Sequence, residues 1–340
     1  MRIASTFRPF AGALAALVFA AAPVAAGCVP PAGSDAELVA TPLAAAAIAE
    51  AEATMANATG RLWRIETDRP SHLLGTYHFP AEGISEPSPE VAALVGEARG
   101  VLVEVDSPAM EARLAEWMAD PSRLFRDDGT RLSDAMTADE IETARQVLAG
   151  YGVPFEIADT MRPFVVFALL AAPPCAMEDL DEPGLDMNIE SLATRKGVPV
   201  RALETVDEQL AALEDDGTGV MDDVLRLSFA GTESFEETFF LGHALYRTGH
   251  VGALWTLSVA LLDEAVAEAE AERIADAFWE RLIASRNRRM VERMIPALEE
   301  GGAFVAVGAL HLPGEDGIVE LLRARGYTVR QAPQEPRAPL

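Results

Sequence analysis

The chain has 340 residues, half of them hydrophobic, which is enough for a large core in one large domain or two modest ones. Its 27 basic and 54 acidic residues give a net charge of −27 at pH 7. That balance argues against nucleic acid and anionic membrane surfaces as partners, because both are bound through clustered Lys and Arg, and it is typical of a solvated surface.

The first 26 residues have the three parts of a secretory signal peptide. Arg2 and Arg8 form a basic start, an apolar run extends from Ala11 to Ala22, and Val24-Ala25-Ala26 offers small residues for cleavage. The run is too short for a good membrane span, and no later segment has 18 uninterrupted apolar residues. We therefore expect a periplasmic or secreted protein without stable membrane insertion.

The two cysteines, Cys28 and Cys175, leave two alternatives open. Export favours a disulfide between them. However, Ala25-Ala26-Gly27-Cys28 also resembles a lipoprotein signal, although it lacks the Leu that usually lies three positions before the cysteine. Since Cys175 has no other partner, the bridge is the preferred interpretation, and a lipid anchor through Cys28 is the alternative.

The first predicted elements form a strand, helix, strand series. A helix over Ala36–Ala56 precedes a strand pair, Leu62–Glu66 and Ser71–Gly75. A helix over Pro87–Ala98, with Ser88 as its N-cap, leads to a buried strand over Val101–Val105. This order is expected of a parallel βαβ unit.

The middle of the chain is predicted to be mainly helical. Helical patterns cover Ala109–Phe125, Thr137–Leu148, Arg162–Ala172 and Leu185–Arg195, with Ser133 and Thr137 as candidate caps. The strand Val198–Leu203 follows, so a second βαβ-like unit is expected here.

The last third of the chain is predicted to be almost wholly helical from Val206 to Glu300. After this region we expect a strand (Ala303–Val307), a helix (Gly317–Arg325) and a second strand (Tyr327–Arg330). The predicted fold class is α/β, with a mostly parallel central sheet flanked by helices and a large helical insertion at about residues 206–300. The domain would span residues 62–330, after an extended and helical segment (27–61) and before a flexible tail (331–340).

Two distant segments end in the same way. Leu73–His78 and Val305–His311 each consist of a short apolar run followed by Gly-x-x-His. Glycine tolerates the backbone angles needed where a chain turns out of a sheet, and open α/β sheets bind ligands at the carboxyl ends of their strands. His78 and His311 therefore predict one site built from both ends of the chain. The remaining histidines are expected to be packing or surface residues: His72, His243 and His250.

Two glutamates follow predicted strands in a similar way. Glu104 comes after an apolar run, with Asp106 two residues on, and Glu204 follows another strand. A buried carboxylate is costly unless it is paired or binds a metal, which favours a functional role. The alternative for Glu204 is a helix N-cap or a salt bridge to Arg201 or Arg162.

If the four strands are adjacent and parallel, His78, Glu104, Glu204 and His311 converge at one edge of the sheet. Imidazole and carboxylate ligands suit Zn²⁺, Mn²⁺ or non-haem iron. The same set could work without a metal, with a histidine as general base and a glutamate as its orienting partner. The sequence leaves both mechanisms open.

Four further residues are candidates for supporting roles. Arg286 and Asn287 lie in an arginine-rich helical stretch that could hold a substrate carboxylate or simply face solvent. Asp186 opens a helix, where a cap is the simplest interpretation. Glu315 follows His311 across a turn and could be its hydrogen-bond partner.

Several common catalytic motifs are absent from the sequence. It contains no Gly-x-Ser-x-Gly, His-Glu-x-x-His, phosphate loop or Gly-x-Gly-x-x-Gly motif, and neither cysteine has a thiol-protease context. These absences argue against the common serine hydrolase, zincin and nucleotide-binding classes.

The ordered set of motifs resembles the TraB/GumN family from about Leu62 to Val329. The matching segments are Leu62-Trp63-Arg64-Ile65, Gly75-Thr76-Tyr77-His78, Val103-Glu104-Val105-Asp106, Leu203-Glu204-Thr205, Arg286-Asn287 and Gly308-Ala309-Leu310-His311-Leu312-Pro313-Gly314. One departure is Phe79-Pro80, where relatives often have a polar loop, so the mouth of the site is expected to differ.

The resemblance implies an α/β fold akin to that of erythromycin esterases and haem-binding ChaN-like proteins. Because the distantly related Tiki proteins are metal-dependent proteases, it implies that His78, Glu104 and His311 bind a divalent metal such as Zn, Mn or Co. Arg286 is a further candidate for the site, though not as a metal ligand. The resemblance also supports pairing Cys28 with Cys175.

Three functions follow as hypotheses. The first is an exported metal-dependent hydrolase that acts on a peptide or small-molecule substrate, with His78, His311, Glu104, Glu204 and Arg286 as candidate catalytic residues. The second is a periplasmic protein that binds a peptide or haem-like ligand without turnover. The third is a metal-free, esterase-like enzyme with His78 as the base. The oligomeric state cannot be predicted from the sequence.

Overall fold

The computed structural model describes residues 28, 30–177, 180, 182–214, 218–230, 235–263 and 266–333. The predicted signal peptide (1–26) and residues 334–340 of the predicted tail lie outside this part of the chain. Within it, no helix combines the length and apolarity needed to cross a membrane.

Six strands form one mixed sheet. They are β1 (Leu62–Glu66), β2 (Ser71–Thr76), β3 (Gly100–Val103), β4 (Val200–Ala202), β5 (Ala303–Gly308) and β6 (Thr328–Gln331). Their spatial order is β4-β3-β5-β2-β1-β6; the first four are mutually parallel, and β1 is antiparallel to both its neighbours. The predicted mostly parallel α/β fold is therefore confirmed, and the late strand β5 lies between β2 and β3.

Strand β5 is buried on both faces because helices cover the sheet on each side. Val305 and Val307 pack with residues of the helices Ser285–Glu300 and Ile318–Ala324. Phe304 and Ala306 point to the opposite face, where the helices Pro89–Glu97 and Leu185–Lys196 supply the partners. Successive side chains of a strand alternate between faces, which explains why β5 is apolar throughout.

The other helices in the described residues have the following bounds: Asp35–Val39, Pro42–Thr54, Ser107–Met118, Pro121–Leu124, Ala138–Gly150, Phe155–Ala158, Pro163–Leu169, Val206–Leu213, Val220–Ala230, Phe235–Thr248, Ala253–Asp263 and Glu268–Trp279. The described residues between Val206 and Glu300 are thus mainly helical, as predicted. Pro42–Thr54 packs against Ala253–Asp263, so the N-terminal segment is attached to this helical region.

Two predicted helices are each divided by a proline. Ala36–Ala56 was expected to be continuous, but a new helix begins at Pro42. Ala109–Phe125 is likewise interrupted before Pro121. Proline fits the first turn of a helix but removes a hydrogen bond from a helix interior, so each proline starts a new helix.

The capping predictions give mixed results. Ser88 and Thr137 accept hydrogen bonds from the backbones of Val91 and Glu140, as expected of N-caps. Ser133, in contrast, lies inside a short 3₁₀ turn and is not a helix N-cap.

The predicted disulfide joins Cys28 to Cys175, which are separated by 147 residues and have Cα atoms 4.8 Å apart. A bridge over so long a loop restricts the unfolded chain and so favours the folded state. Because the Cys28 sulfur is bonded to Cys175, the same sulfur cannot carry a lipid in this structure.

Candidate active site

The four parallel strands bring the predicted residues to one edge of the sheet. Glu104 directly follows β3, His78 and Glu204 follow β2 and β4 by two residues, and His311 follows β5 by three. The neighbours in the sheet are β4, β3, β5 and β2 in that order, so the four strand ends are adjacent. The predicted convergence at the carboxyl edge is therefore present in the fold.

Gly308 lies at the centre of this arrangement. A Cβ atom placed on Gly308 would be 3.0 Å from Glu104 Oε1, 3.0 Å from His78 Nε2 and 3.5 Å from His311 Cδ2. The three predicted ligands thus surround one small space, which exists because residue 308 has no side chain.

Glu104 is held as a buried carboxylate by groups on both of its oxygens. Oε1 accepts a hydrogen bond from the Gly308 N–H and lies 3.5 Å from His311 Nε2, while Oε2 accepts one from Arg286 Nη2 at 2.8 Å. Burial alone would raise the pKa of Glu104, but the Arg286 guanidinium, the positively charged His78 ring and the Gly308 N–H hold that pKa well below its usual range. Glu104 is therefore ionised at neutral pH.

Arg286 bridges the two glutamates beneath the site. Its side chain is buried, and it donates to Glu204 Oε2 from Nε at 2.8 Å as well as to Glu104. The second oxygen of Glu204 accepts a hydrogen bond from Arg289 Nη2 at 3.0 Å. Both oxygens of Glu204 are therefore engaged by arginines.

The two alternatives predicted for Glu204 are wrong in detail. Its salt-bridge partners are Arg286 and Arg289, whereas Arg162 pairs with Asp127. The N-cap of the following helix is Thr205 rather than Glu204. A local pattern could not reveal a partner that lies 82 residues away on another helix.

His311 is buried and is oriented by Asn287. Its Nδ1 lies 2.6 Å from Asn287 Oδ1, and burial lowers the pKa of the ring to about 3. Glu315, the predicted partner of His311, is exposed instead.

His78 lies at the open side of the site, with 57% of its side chain exposed. Its Nδ1 is 3.4 Å from Asp186 Oδ2. Desolvation by the neighbouring protein opposes the charged ring, but the Asp186 carboxylate outweighs this effect and raises the pKa of His78 to about 9. At neutral pH the His78 ring is therefore positively charged, whereas the His311 ring is neutral.

Asp186 is not the helix cap that its position suggested. The N-cap of the helix Leu185–Lys196 is Gly184, which makes no side-chain cap. Asp186 lies in the first turn and faces His78, and the Leu185 N–H donates to the Tyr77 carbonyl at 3.1 Å. The start of this helix therefore packs directly on the first Gly-x-x-His motif.

A π-helical turn at Glu280–Ala284 precedes the helix Ser285–Glu300. Arg286 and Asn287 follow it directly, and both are buried. Arg286 Nη1 also donates to the Leu282 carbonyl of that turn at 3.0 Å. Such turns often occur at functional sites, and a sequence pattern does not reveal them.

The prediction that the two motif glycines are needed for unusual backbone angles is wrong. Neither Gly75 nor Gly308 has a positive φ angle, and Gly308 has φ −53° and ψ 142°. The requirement is space: a Cβ on Gly75 would lie 2.7 Å from Leu312 Cδ1 and 2.9 Å from Ala309 Cα. The glycines allow close approach of backbone and side chains rather than an unusual turn.

The predicted aromatic departure lies directly after His78. The Phe79 ring packs edge-on against Tyr77 and Phe239, with centroids 5.9 and 5.7 Å apart. Phe79 therefore belongs to an aromatic cluster that lies beside His78.

We expect His243 to make folding stability depend on pH. It is 4% exposed, packs on Tyr77 and Phe239, and burial lowers its pKa to about 4. Because the unfolded histidine has a pKa near 6.5, the neutral folded form loses about 3 kcal/mol of stability as the pH falls from about 6.5 to 4. Urea unfolding of wild type and His243→Phe across this range should show a shallower pH dependence in the variant. Equal slopes for the two proteins would contradict this assignment.

No group of three His, Cys, Asp or Glu side chains in the described part of the chain forms a ready metal-binding cluster. The donor atoms around Gly308 are instead arranged by their own partners: Asp186 for His78, Asn287 for His311, and Arg286 for Glu104.

Comparison with known proteins agrees with the resemblance seen in the strand-end motifs. A protein described as Metalloprotease TIKI1, from Danio rerio, is 22% identical over 316 residues, which cover 80% of this chain and 63% of that protein. The chain thus spans less than two thirds of this relative's length. No solved structure matches the chain significantly. The sequence model of the TraB/PrgY/gumN family matches residues 61–331, which include all six strands and the whole candidate site, and the chain therefore belongs to that family.

Proposed function

We propose that this protein is a metal-dependent hydrolase that cleaves peptides at the carboxyl edge of the sheet. His78, His311 and Glu104 would hold a divalent transition metal such as Zn, Mn or Co. The observation that carries this proposal is the space at Gly308, which His78 Nε2 and Glu104 Oε1 border at equal distance with the His311 ring beside them. The similarity to a protein named as a metalloprotease supports the peptide as substrate class.

The residue types around Gly308, rather than a preformed ligand geometry, are those of a catalytic metal site. Two imidazoles and one carboxylate are a common ligand set for catalytic zinc, and such sites keep a fourth position open for substrate. Each of the three side chains has a second hydrogen-bond partner, which is usual for metal ligands because it fixes their orientation. A divalent ion held here would polarise the scissile carbonyl as a Lewis acid.

The remaining residues would keep this ligand set in place. Asp186 holds the ring of His78 at the exposed mouth, where a peptide can enter. Arg286 keeps Glu104 ionised, and Glu204 in turn fixes Arg286. In this proposal Glu204 and Arg286 support the site through Glu104.

Peptide hydrolysis with matched histidine variants tests the proposal. Protein purified without chelator should cleave members of a peptide mixture when Zn²⁺, Mn²⁺ or Co²⁺ is supplied, and EDTA should stop the cleavage. His311→Ala should lose at least about 100-fold in kcat/KM, since loss of a mere ligand partner already costs 10–100-fold. His72→Ala, on strand β2 but outside the site, is the control. Undiminished cleavage in EDTA, or by His311→Ala, would refute the metal mechanism.

A metal-free hydrolase is the second candidate, and the His78–Asp186 pair favours it. A histidine with its Nδ1 beside a carboxylate can act as a general base through Nε2 once that nitrogen has lost its proton, and the raised pKa of His78, about 9, places this activity at alkaline pH. This candidate predicts ester hydrolysis that resists EDTA and is lost in Asp186→Asn. Capture of an intact peptide or haem-like ligand without turnover would indicate the binding function instead.

We also propose that the chain is exported after cleavage of residues 1–26. The Cys28–Cys175 disulfide supports this proposal, because such bonds persist in oxidising compartments. The mass of the mature chain tests it: loss of 26 residues with an intact disulfide supports export, and a lipid on Cys28 would show the anchored alternative.

A further inference from the structure

We propose that Asn287 is a positioning residue that fixes the tautomer of His311, so that His311 presents the unprotonated Nε2 to the space at Gly308. The inference rests on the proposed function for its purpose, but its structural content can be tested without a metal. It gives a defined task to a residue that does not itself reach that space.

The orientation of the Asn287 amide is set by two carbonyl groups. Its Nδ2 donates to the Asp316 carbonyl at 2.8 Å and to the His311 carbonyl at 3.3 Å. The side chain is fully buried, so water does not compete for these bonds. Reversing the amide would place its oxygen against two carbonyl oxygens, which only accept hydrogen bonds.

With the amide fixed in this way, the atom 2.6 Å from His311 Nδ1 is the Asn287 oxygen. A carbonyl oxygen has no hydrogen to donate, so Nδ1 must carry the proton that joins the two atoms. In the neutral ring the other nitrogen, Nε2, then has a free lone pair.

The free lone pair of His311 faces a second acceptor. Glu104 Oε1 lies 3.5 Å from His311 Nε2, and both groups are buried. With the proton on Nδ1, no hydrogen bond can form between Nε2 and Oε1, and two acceptors at this distance repel each other. A cation that both atoms can bind removes the repulsion, so the tautomer chosen by Asn287 favours a metal ion at this point.

The alternative tautomer would have the opposite effect. If Nε2 carried the proton, it could donate to Glu104 Oε1, and the two ligands would bind each other instead of a metal. Asn287 prevents this pairing because its oxygen accepts a hydrogen bond from Nδ1, which keeps the proton on that nitrogen. Its contribution to the site is therefore the choice of donor atom, in addition to the angle of the ring.

Nitrogen NMR of the metal-free protein, with ¹⁵N-labelled histidine, tests the inference directly. The signals of His311, assigned by comparison with His311→Gln, should show a protonated Nδ1 and an unprotonated Nε2. In Asn287→Ala the proton should move at least partly to Nε2, and the dissociation constant for Zn²⁺ should rise at least about 10-fold.

Asn188→Ala is the matched control, because Asn188 Nδ2 also donates to two carbonyls, those of Ser85 and Pro183, away from His311. It should change neither the tautomer nor the Zn²⁺ affinity. A protonated Nε2 in wild type, or an unchanged tautomer in Asn287→Ala, would overturn the inference even if the enzyme binds metal. The predicted tautomer in a protein that neither binds metal nor cleaves peptides would instead refute the proposed function.

Discussion

Gly308→Ala is expected to abolish metal binding and peptide cleavage while the protein stays folded. The added methyl group would lie 3.0 Å from both Glu104 Oε1 and His78 Nε2, in the space proposed for the metal. The backbone angles of residue 308 suit any L-residue. Small shifts of the Glu104 and His78 side chains can therefore relieve the contacts with the new methyl group. A loss on the order of 100-fold or more in kcat/KM, with an unfolding midpoint close to that of wild type, would be the expected result.

Two other glycine variants are controls for Gly308→Ala. Gly96→Ala adds a methyl group at an exposed position of the helix Pro89–Glu97, 4.0 Å from the nearest atom. This variant should keep full activity with a gain of up to about 1 kcal/mol in stability. Gly75→Ala meets the Ala309 backbone at 2.9 Å and should lower stability as well as activity. Full activity in Gly308→Ala would show that the space at residue 308 is not used.

Arg286→Met should lower the free energy of unfolding by about 3–5 kcal/mol, which is more than any other substitution proposed for the candidate site. Arg286 is the shared partner of Glu104 and Glu204, whose side chains are only 8% and 0% exposed. Its removal leaves a carboxylate without its buried positive partner, which also raises the pKa of Glu104. Urea unfolding at neutral pH measures the effect.

A second substitution should recover part of this loss. In Arg286→Met with Glu204→Gln, one buried negative charge is removed, so the double variant should be more stable than Arg286→Met alone. Arg289→Met is the control, because Arg289 is 39% exposed and should contribute no more than about 1 kcal/mol through Glu204. If Arg286→Met costs less than Arg289→Met, the buried arginine does not neutralise these glutamates.

The sequence contained enough information to predict the edge of the sheet where the candidate site residues converge. The apolar runs before His78, Glu104 and His311 indicate buried strands, and buried parallel strands end at a common edge. Their close approach also needs β5 to lie between β2 and β3, and this follows from the topology rather than from any local pattern.

The hydrogen-bond partners of these residues could not be predicted in the same way. Asp186 has the sequence position of a helix cap, and only the packing of that helix on Tyr77 turns its carboxylate toward His78. Asn287 reaches His311 from a helix that follows a π-helical turn, and Arg286 reaches Glu104 across 182 residues. Partners that depend on the angle between distant elements leave no periodic signal along the chain.

The two helix interruptions could have been predicted from the prolines in the sequence. Pro42 and Pro121 stand inside patterns that otherwise have helical spacing, and each begins a new helix in the structure. The apolar periodicity on both sides obscured the break, although proline in a helix interior costs about 3 kcal/mol. A proline within a helical pattern is thus a signal for a new helix start, although Pro296 lies inside the helix Ser285–Glu300 without ending it.

The metal content of the mature protein tests the central proposal most directly. Elemental analysis of protein purified without chelator, after Zn²⁺, Mn²⁺ and Co²⁺ have each been offered, should find about one equivalent of metal in wild type. The double variant His78→Ala/His311→Ala should bind none. Wild type that holds no metal under any of these conditions, or a double variant that binds as much metal as wild type, would contradict a metal site at His78, Glu104 and His311.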